Sequence, residues 1–173
     1  MNIPQSWIKT NIGNICITTS GGTPSRKKLQ YFSGDVAWLK SGELKDEIIF
    51  RAEESITIEG IKNSSAKLLP PGTLLVALYG ATVGKLGILG IPAATNQAVC
   101  AIKTPDEIEK RYLFLYLKYI RNDLLNKRIG GAQPNISQQI IRQIEFPLPP
   151  LPEQQHIVAK IEELFSRLDA GVA

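Results

Sequence analysis

Glu145-Phe146-Pro147-Leu148-Pro149-Pro150-Leu151-Pro152-Glu153-Gln154-Gln155-His156-Ile157-Val158 decides how this chain is built. Its first residues read as the end of a strand. Four prolines among the six residues from Pro147 to Pro152 then exclude a helix interior or a central strand, so an extended, semi-rigid connector is expected there. Pro152 sits where a helix can start, and Glu153 falls in its positive first turn. Beyond it Ile157, Ile161, Leu164 and Leu168 recur at spacings of four, three and four. That is an a/d seam of the coiled-coil kind, and it makes these four the candidate subunit-interface residues. The expected plan is a globular part at 1–146, a proline-rich connector at 147–152 and a helix at 153–173.

Working outward, Trp7 to Thr19 reads as a first strand, closed by the Gly- and Pro-punctuated loop Ser20-Gly21-Gly22-Thr23-Pro24-Ser25. Val36 to Lys40 is a second strand. Thr73 to Tyr79 is an apolar run bounded by turn signals, hence a buried strand; Leu86–Leu89 and Gln97–Ile102 complete an antiparallel meander with it. Thr104-Pro105-Asp106-Glu107 carries an N-cap, a first-turn proline and a capping glutamate, predicting a helix from there to about Arg128, stopped by Gly130 and Gly131. A shorter helix begins near Ser137 and yields to a strand at Gln143–Phe146. The fold class is therefore α+β: a twisted, mainly antiparallel sheet with flanking helices, followed by a coiled-coil-type helix.

Charge is unevenly placed. Residues 1–152 hold 18 Lys and Arg against 12 Asp and Glu, while residues 153–173 hold 2 against 4. The basic excess lies wholly in the globular part, which suits a polyanionic partner there and a protein partner on the helix. Ordinary surface charge is the competing reading. Cys16 and Cys100 sit in apolar strand-like surroundings and make no disulfide framework. No apolar run reaches the length of a membrane span, and a cytoplasmic location is expected.

The motifs nearest to catalytic ones each miss a required residue or spacing. Gly80-Ala81-Thr82-Val83-Gly84-Lys85-Leu86 misses the phosphate-binding loop by one residue between its glycines, and Leu86 stands where Ser or Thr would hold magnesium. A hairpin turn with a basic tip is the better account. Asp35, Glu43 and Lys45 have the types of a nuclease trio without the spacing that brings acids onto paired strands. Leu148-Pro149-Pro150-Leu151 lacks the polar residue a methyltransferase target-base motif requires. His156 is the single histidine, too few for a zinc site with two distant cysteines. No enzyme activity, metal or cofactor is expected.

Six segments in order resemble the specificity subunit of type I restriction-modification systems. Trp7 to Gly13 looks like its opening W-x-x-x-x-(I/L)-G, and Ser20 to Ser25 matches its S-G-G-T-P-S loop. Leu69 to Val76 with Gly80 to Lys85 resembles its central segment. Thr95-Asn96-Gln97-Ala98 matches its N-Q-A, Gly130 to Ser137 its G-(G/S)-x-Q-x-N-(I/L)-S, and Pro147 to Ile157 its exit into a spacer helix. The resemblance implies a target recognition domain that reads half of a split double-stranded DNA sequence. Methyl transfer and cutting would belong to methyltransferase and restriction subunits, and a second recognition domain or second copy would join through the spacer helix. The family's usual subunit carries two recognition domains, so this chain is expected to be a fragment or a half-subunit.

Basic residues beside flexible loops are natural phosphate contacts, and Arg, Asn and Gln can pair with base edges. The candidate DNA-binding residues are Arg26, Lys27, Lys28, Lys40, Lys85 and Arg128, then Gln133 and Asn135. Each cation has a solvated surface charge as its alternative, and Gln133 and Asn135 have bracing of the turn before Ser137. Tyr116 and Tyr119 are expected in the helix core. The rival function is a protein-interaction module that dimerises or docks through its C-terminal helix. Steep weakening with salt would mark DNA binding and not apolar docking.

Overall fold

The computed structural model describes residues 4–126 and 135–171. Strand β1 (Ile8–Asn11) leads through a single-turn helix α1 (Ile12–Ile15) into β2 (Ile17–Ser20). A long strand β3 (Phe32–Leu39) precedes β4 (Glu47–Ile49), β5 (Glu54–Ile56) and helix α2 (Ile58–Lys62). The apolar middle of the chain supplies β6 (Leu74–Ala77), β7 (Leu86–Leu89), β8 (Ala93–Thr95) and β9 (Val99–Lys103). Helices α3 (Lys110–Asn126) and α4 (Gln138–Gln143), strand β10 (Glu145–Leu148) and helix α5 (Leu151–Asp169) follow.

A five-stranded sheet in the order β2-β9-β6-β7-β4 forms the centre, and its pairings are antiparallel except β4 with β7. All four residues of β6 are buried, because alternate side chains enter different cores. Leu74 and Val76 face α1, α3, α4 and β10, packing with Ile12, Leu113, Phe114, Ile141 and Phe146. Leu75 and Ala77 face the other way, onto Leu39 and Ala93 of a three-stranded layer ordered β5-β3-β8 and onto Leu69, which bridges Ala93. A sheet covered on both faces reads as a continuous apolar run, which is why 73–79 shows no alternation. Burying each such leucine contributes about 1.5–3 kcal/mol before ordering costs. The fold is α+β with antiparallel-rich sheets.

Several local expectations are corrected. Trp7–Thr19 is two strands, since α1 turns the chain so that β1 pairs with β10 and β2 with β9. The meander is interrupted: β8 leaves to pair parallel with β3, and β9 returns to β6. Helix α3 starts at Lys110, not beside Thr104, and the Thr104 hydroxyl has no partner. The cause lies in α5, where the Gln154 side chain bonds the N–H of Glu109 and the carbonyl of Glu107 and so holds that turn unwound. The described part of α3 reaches Asn126; the expected end at Arg128, Gly130 and Gly131 lies outside the described residues. Helix α4 begins as expected, with the Ser137 hydroxyl accepting from the N–H of Ile140. The connector is shorter than expected: Pro147 and Leu148 complete the β10 ladder, Pro149 and Pro150 join, and α5 starts at Leu151. Pro147 is tolerated because β10 is an edge strand of a two-stranded sheet.

Candidate nucleic-acid interface

Strand polarity brings one set of loops to one end of the five-stranded sheet. Ser20 of β2 pairs with Cys100 of β9, and Val99 with Ala77 of β6, so the loops after β2 and β6 and before β9 emerge together. The turn before β7 and the loop before β4 lie at the same end. Backbone bonds then stitch the loops laterally. Gly22 N–H donates to Thr95 O at 2.8 Å, Leu78 N–H to Ala98 O at 2.8 Å, and Ile136 N–H to Leu78 O at 2.7 Å. The Thr82 hydroxyl donates to Ser41 O at 2.8 Å.

Gly21 and Gly22 are required by close approach. A Cβ on Gly21 would collide with the carbonyl oxygen of Thr95, and one on Gly22 with the backbone of Ser65 and Ala66. The buried Trp38 fixes the same loop by donating its indole N–H to Gly22 O at 3.0 Å. On this base Thr23 and Gln97 stand exposed, with the threonine hydroxyl bonded to the glutamine side chain. Gln138 of α4 bonds Ser20 and Thr18, tying β2 to α4.

Two ionic clusters flank the loops. Arg26 makes a two-pronged bond to Glu54, at 2.7 and 3.2 Å, and its guanidinium lies 4.5 Å from the Phe32 ring centre and 5.1 Å from that of Trp38. Lys40 joins the same carboxylate at 3.0 Å and Glu53 at 3.4 Å. Hydrogen bonds from Arg26 and then Lys40 hold the Glu54 carboxyl at a pKa of about 2. In the second cluster Asp46, held at φ 66°, accepts from Arg121, from Lys85 at 3.1 Å and from the N–H of Leu86 at 3.0 Å. Burial alone would raise the Asp46 pKa, but these bonds outweigh it and the net shift is downward.

Arg26, Lys40 and Lys85 are thus brought to the loop end of the sheet already paired with carboxylates. Lys28 donates to the Tyr31 hydroxyl at 3.0 Å, whereas Lys27 is exposed and makes no ion pair or hydrogen bond among the described residues. Asn135 is exposed, one residue before the bond to Leu78; Arg128 and Gln133 lie outside the described residues. Glu43 spends both carboxylate oxygens on the N–H groups of Lys40 and Glu53, bracing the turn between β3 and β4. Tyr116 is half-buried against Phe146 as expected, but Tyr119 is exposed.

The helix candidates divide. Ile157 and the buried Val158 pack on the domain core, Ile161 is half-buried, and Leu164 and Leu168 are exposed together with Phe165. Trp7 donates its indole N–H to Glu153 at 3.0 Å, and Gln154 is buried at 1 % exposure. Glu153 and Gln154 stand in the Pro147–Ile157 motif, yet a polar pair at a helix start signals only the dipole. The partner of Asp46, Arg121, was equally hidden, 75 residues away.

A family model described as the type I restriction modification DNA specificity domain matches residues 4–171. This chain belongs to that family. The specificity domain is 30% identical over 171 residues to the type I restriction enzyme MjaIX specificity subunit of Methanocaldococcus jannaschii, covering 96% of this chain and 39% of that protein. Its fold superposes on the HsdS subunit from Thermoanaerobacter tengcongensis with a TM-score of 0.77 at 21% identity, over 100% of this chain and 41% of the other. A chain from a structure of the type I R-M system gives 0.78 at 20% identity, over 99% and 41%. The specificity domain therefore spans about two fifths of the length of these relatives. No helix among its described residues is long and apolar enough to cross a membrane.

Proposed function

We propose that the chain reads one half of a divided double-stranded DNA sequence, as the specificity subunit or a half-subunit of a type I restriction-modification complex. The convergence of the Ser20–Ser25, Leu78–Lys85 and Asn96–Ala98 loops on one end of a doubly covered sheet supports this reading. Rigid placement is what base readout needs, and cations beside the loops suit phosphate contacts. Gln97, held at the surface by Thr23, joins Arg26, Gln133 and Asn135 as a candidate base reader, since a glutamine amide can pair with adenine. Lys27, Lys28, Lys40, Lys85 and Arg128 are the candidate phosphate contacts.

The globular part is the reader, and α5 is the strut toward a second recognition domain or a second copy. Methyl transfer and cleavage reside in methyltransferase and restriction subunits, and the assembly works in the cytoplasm. Modified-base sequencing of host DNA with and without the gene supplies the target. Affinities of the assembled complex for cognate and scrambled duplexes at two salt concentrations then test the assignment. Neutralising Lys27, Lys28 or Lys85 should weaken both duplexes alike and lower the salt slope by about one each. Gln97→Ala should relax preference at one base pair by about 1–3 kcal/mol. Unchanged affinity and slope across all four variants would put the DNA on another face.

A further inference from the structure

Between the β10 ladder and α5 there are only two residues, Pro149 and Pro150. Both have φ fixed by their rings, so the direction of the helix depends on little more than two ψ angles. Farther along, Ile157 and Val158 pack on the core and Arg111 of α3 pairs with Glu162 at 2.8 Å, but one side chain bonds the connector itself. Gln154, 1 % exposed, accepts from the N–H of Glu109 at 2.9 Å and donates to Pro149 O at 2.9 Å and to Glu107 O at 3.1 Å. Only one orientation of its amide serves one N–H and two carbonyls, so the side chain is fully specified. Its bonds reach back to the connector and across to the turn before α3. The Trp7–Glu153 bond adds a second tie from the residue before β1.

We propose that Gln154 is a positioning residue that fixes the direction in which α5 leaves the domain, and thereby the separation at which two such domains meet DNA. The second half of this inference rests on the DNA-reading function proposed above. The helix has 19 residues. At 1.5 Å per residue it is about 28 Å long, so a tilt of about 10° moves its far end by about 5 Å. That exceeds the rise of one base pair, about 3.4 Å. A joint loosened by that tilt would not preserve half-site spacing.

The test places spin labels at Lys62→Cys on α2 and Arg167→Cys near the end of α5, in the full chain, and measures their distance distribution. Cys16 and Cys100 are buried, and burial pushes their thiols up to about 11 and about 12, so they do not compete for label. With Gln154 present a single narrow distribution is expected. Gln154→Leu removes all three bonds and should lose that narrowness while the circular dichroism of the domain stays native. If Gln154→Leu does not fold, Gln154→Glu keeps the acceptor and loses both donations, and the same loss is expected. In the assembled complex, preference for the native half-site separation over one altered by a base pair should fall away in the same variant. A folded variant with a distribution as narrow as the parent overturns the proposal. Because the distance measurement needs no DNA, failure of the parent chain to bind any duplex would remove the DNA reading and leave the joint standing.

Discussion

The Glu54 carboxylate is shared between Arg26 and Lys40, and its pKa of about 2 compares with an ordinary 4.5. A depressed carboxyl pKa contributes stability that is fully present above about pH 4.5 and is lost as the pH falls toward about 2. Acid titration followed by the fluorescence of Trp7 and Trp38 should show this loss in the parent and not in Glu54→Gln. At neutral pH the variant should lose about 1 kcal/mol or less, because Arg26 is half exposed. If this cluster faces DNA, the same variant should bind random duplex more tightly and with a steeper salt slope, since Arg26 loses its internal counter-ion and Lys40 keeps only Glu53. Asp46 is a different case. It and Arg121 are 10% and 15% exposed, so Asp46→Ala leaves a largely buried guanidinium without its partner. Chemical denaturation should show a cost of about 3 kcal/mol.

Among elements, α5 has two halves with separate duties. Val158 completes the domain core, so Val158→Ala should lower unfolding stability by about 1–3 kcal/mol without touching association. Leu164, Phe165 and Leu168 are 48%, 49% and 65% exposed, and Leu164→Asp should leave stability unchanged while weakening self-association or co-purification with a methyltransferase subunit. Unaltered sedimentation and co-purification for Leu164→Asp would remove the seam from consideration. The a/d spacing from Ile157 to Leu168 was visible in sequence because helical periodicity is local. So were β7, flanked by glycines, and α4, announced by Ser137. Thr104 misled because its capping pattern, also local, was overruled by Gln154 from 50 residues further along. Ala93-Ala94-Thr95 gave no hint of its parallel pairing with β3, since three small residues fit either neighbour equally. Arg26 looked like a loop cation until Phe32, Trp38 and Glu54 surrounded it.

For the whole molecule, the doubly covered sheet is the frame on which the loops at its end depend, and the β1–β10 pair locks it. That pair joins Ile8 to Leu148 and Asn11 to Glu145, and the Trp7–Glu153 bond spans 146 residues. Distant pairing of this kind cannot begin until both partners exist. The helical-side core likewise waits for Phe146 and Val158. At roughly 5–20 residues per second, β1 spends on the order of 10 s on the ribosome without a mate. Nascent chains stalled at Arg142 should therefore be cut by protease near β1, whereas chains with residue 171 clear of the exit tunnel should resist. Protection already present at Arg142 would mean that β1 closes by another route. Helix α5 thus acts as a certificate of completion: a chain cut short before Glu153 lacks Val158 for its core, the Glu153 carboxylate for Trp7, and the exposed Leu164 and Leu168.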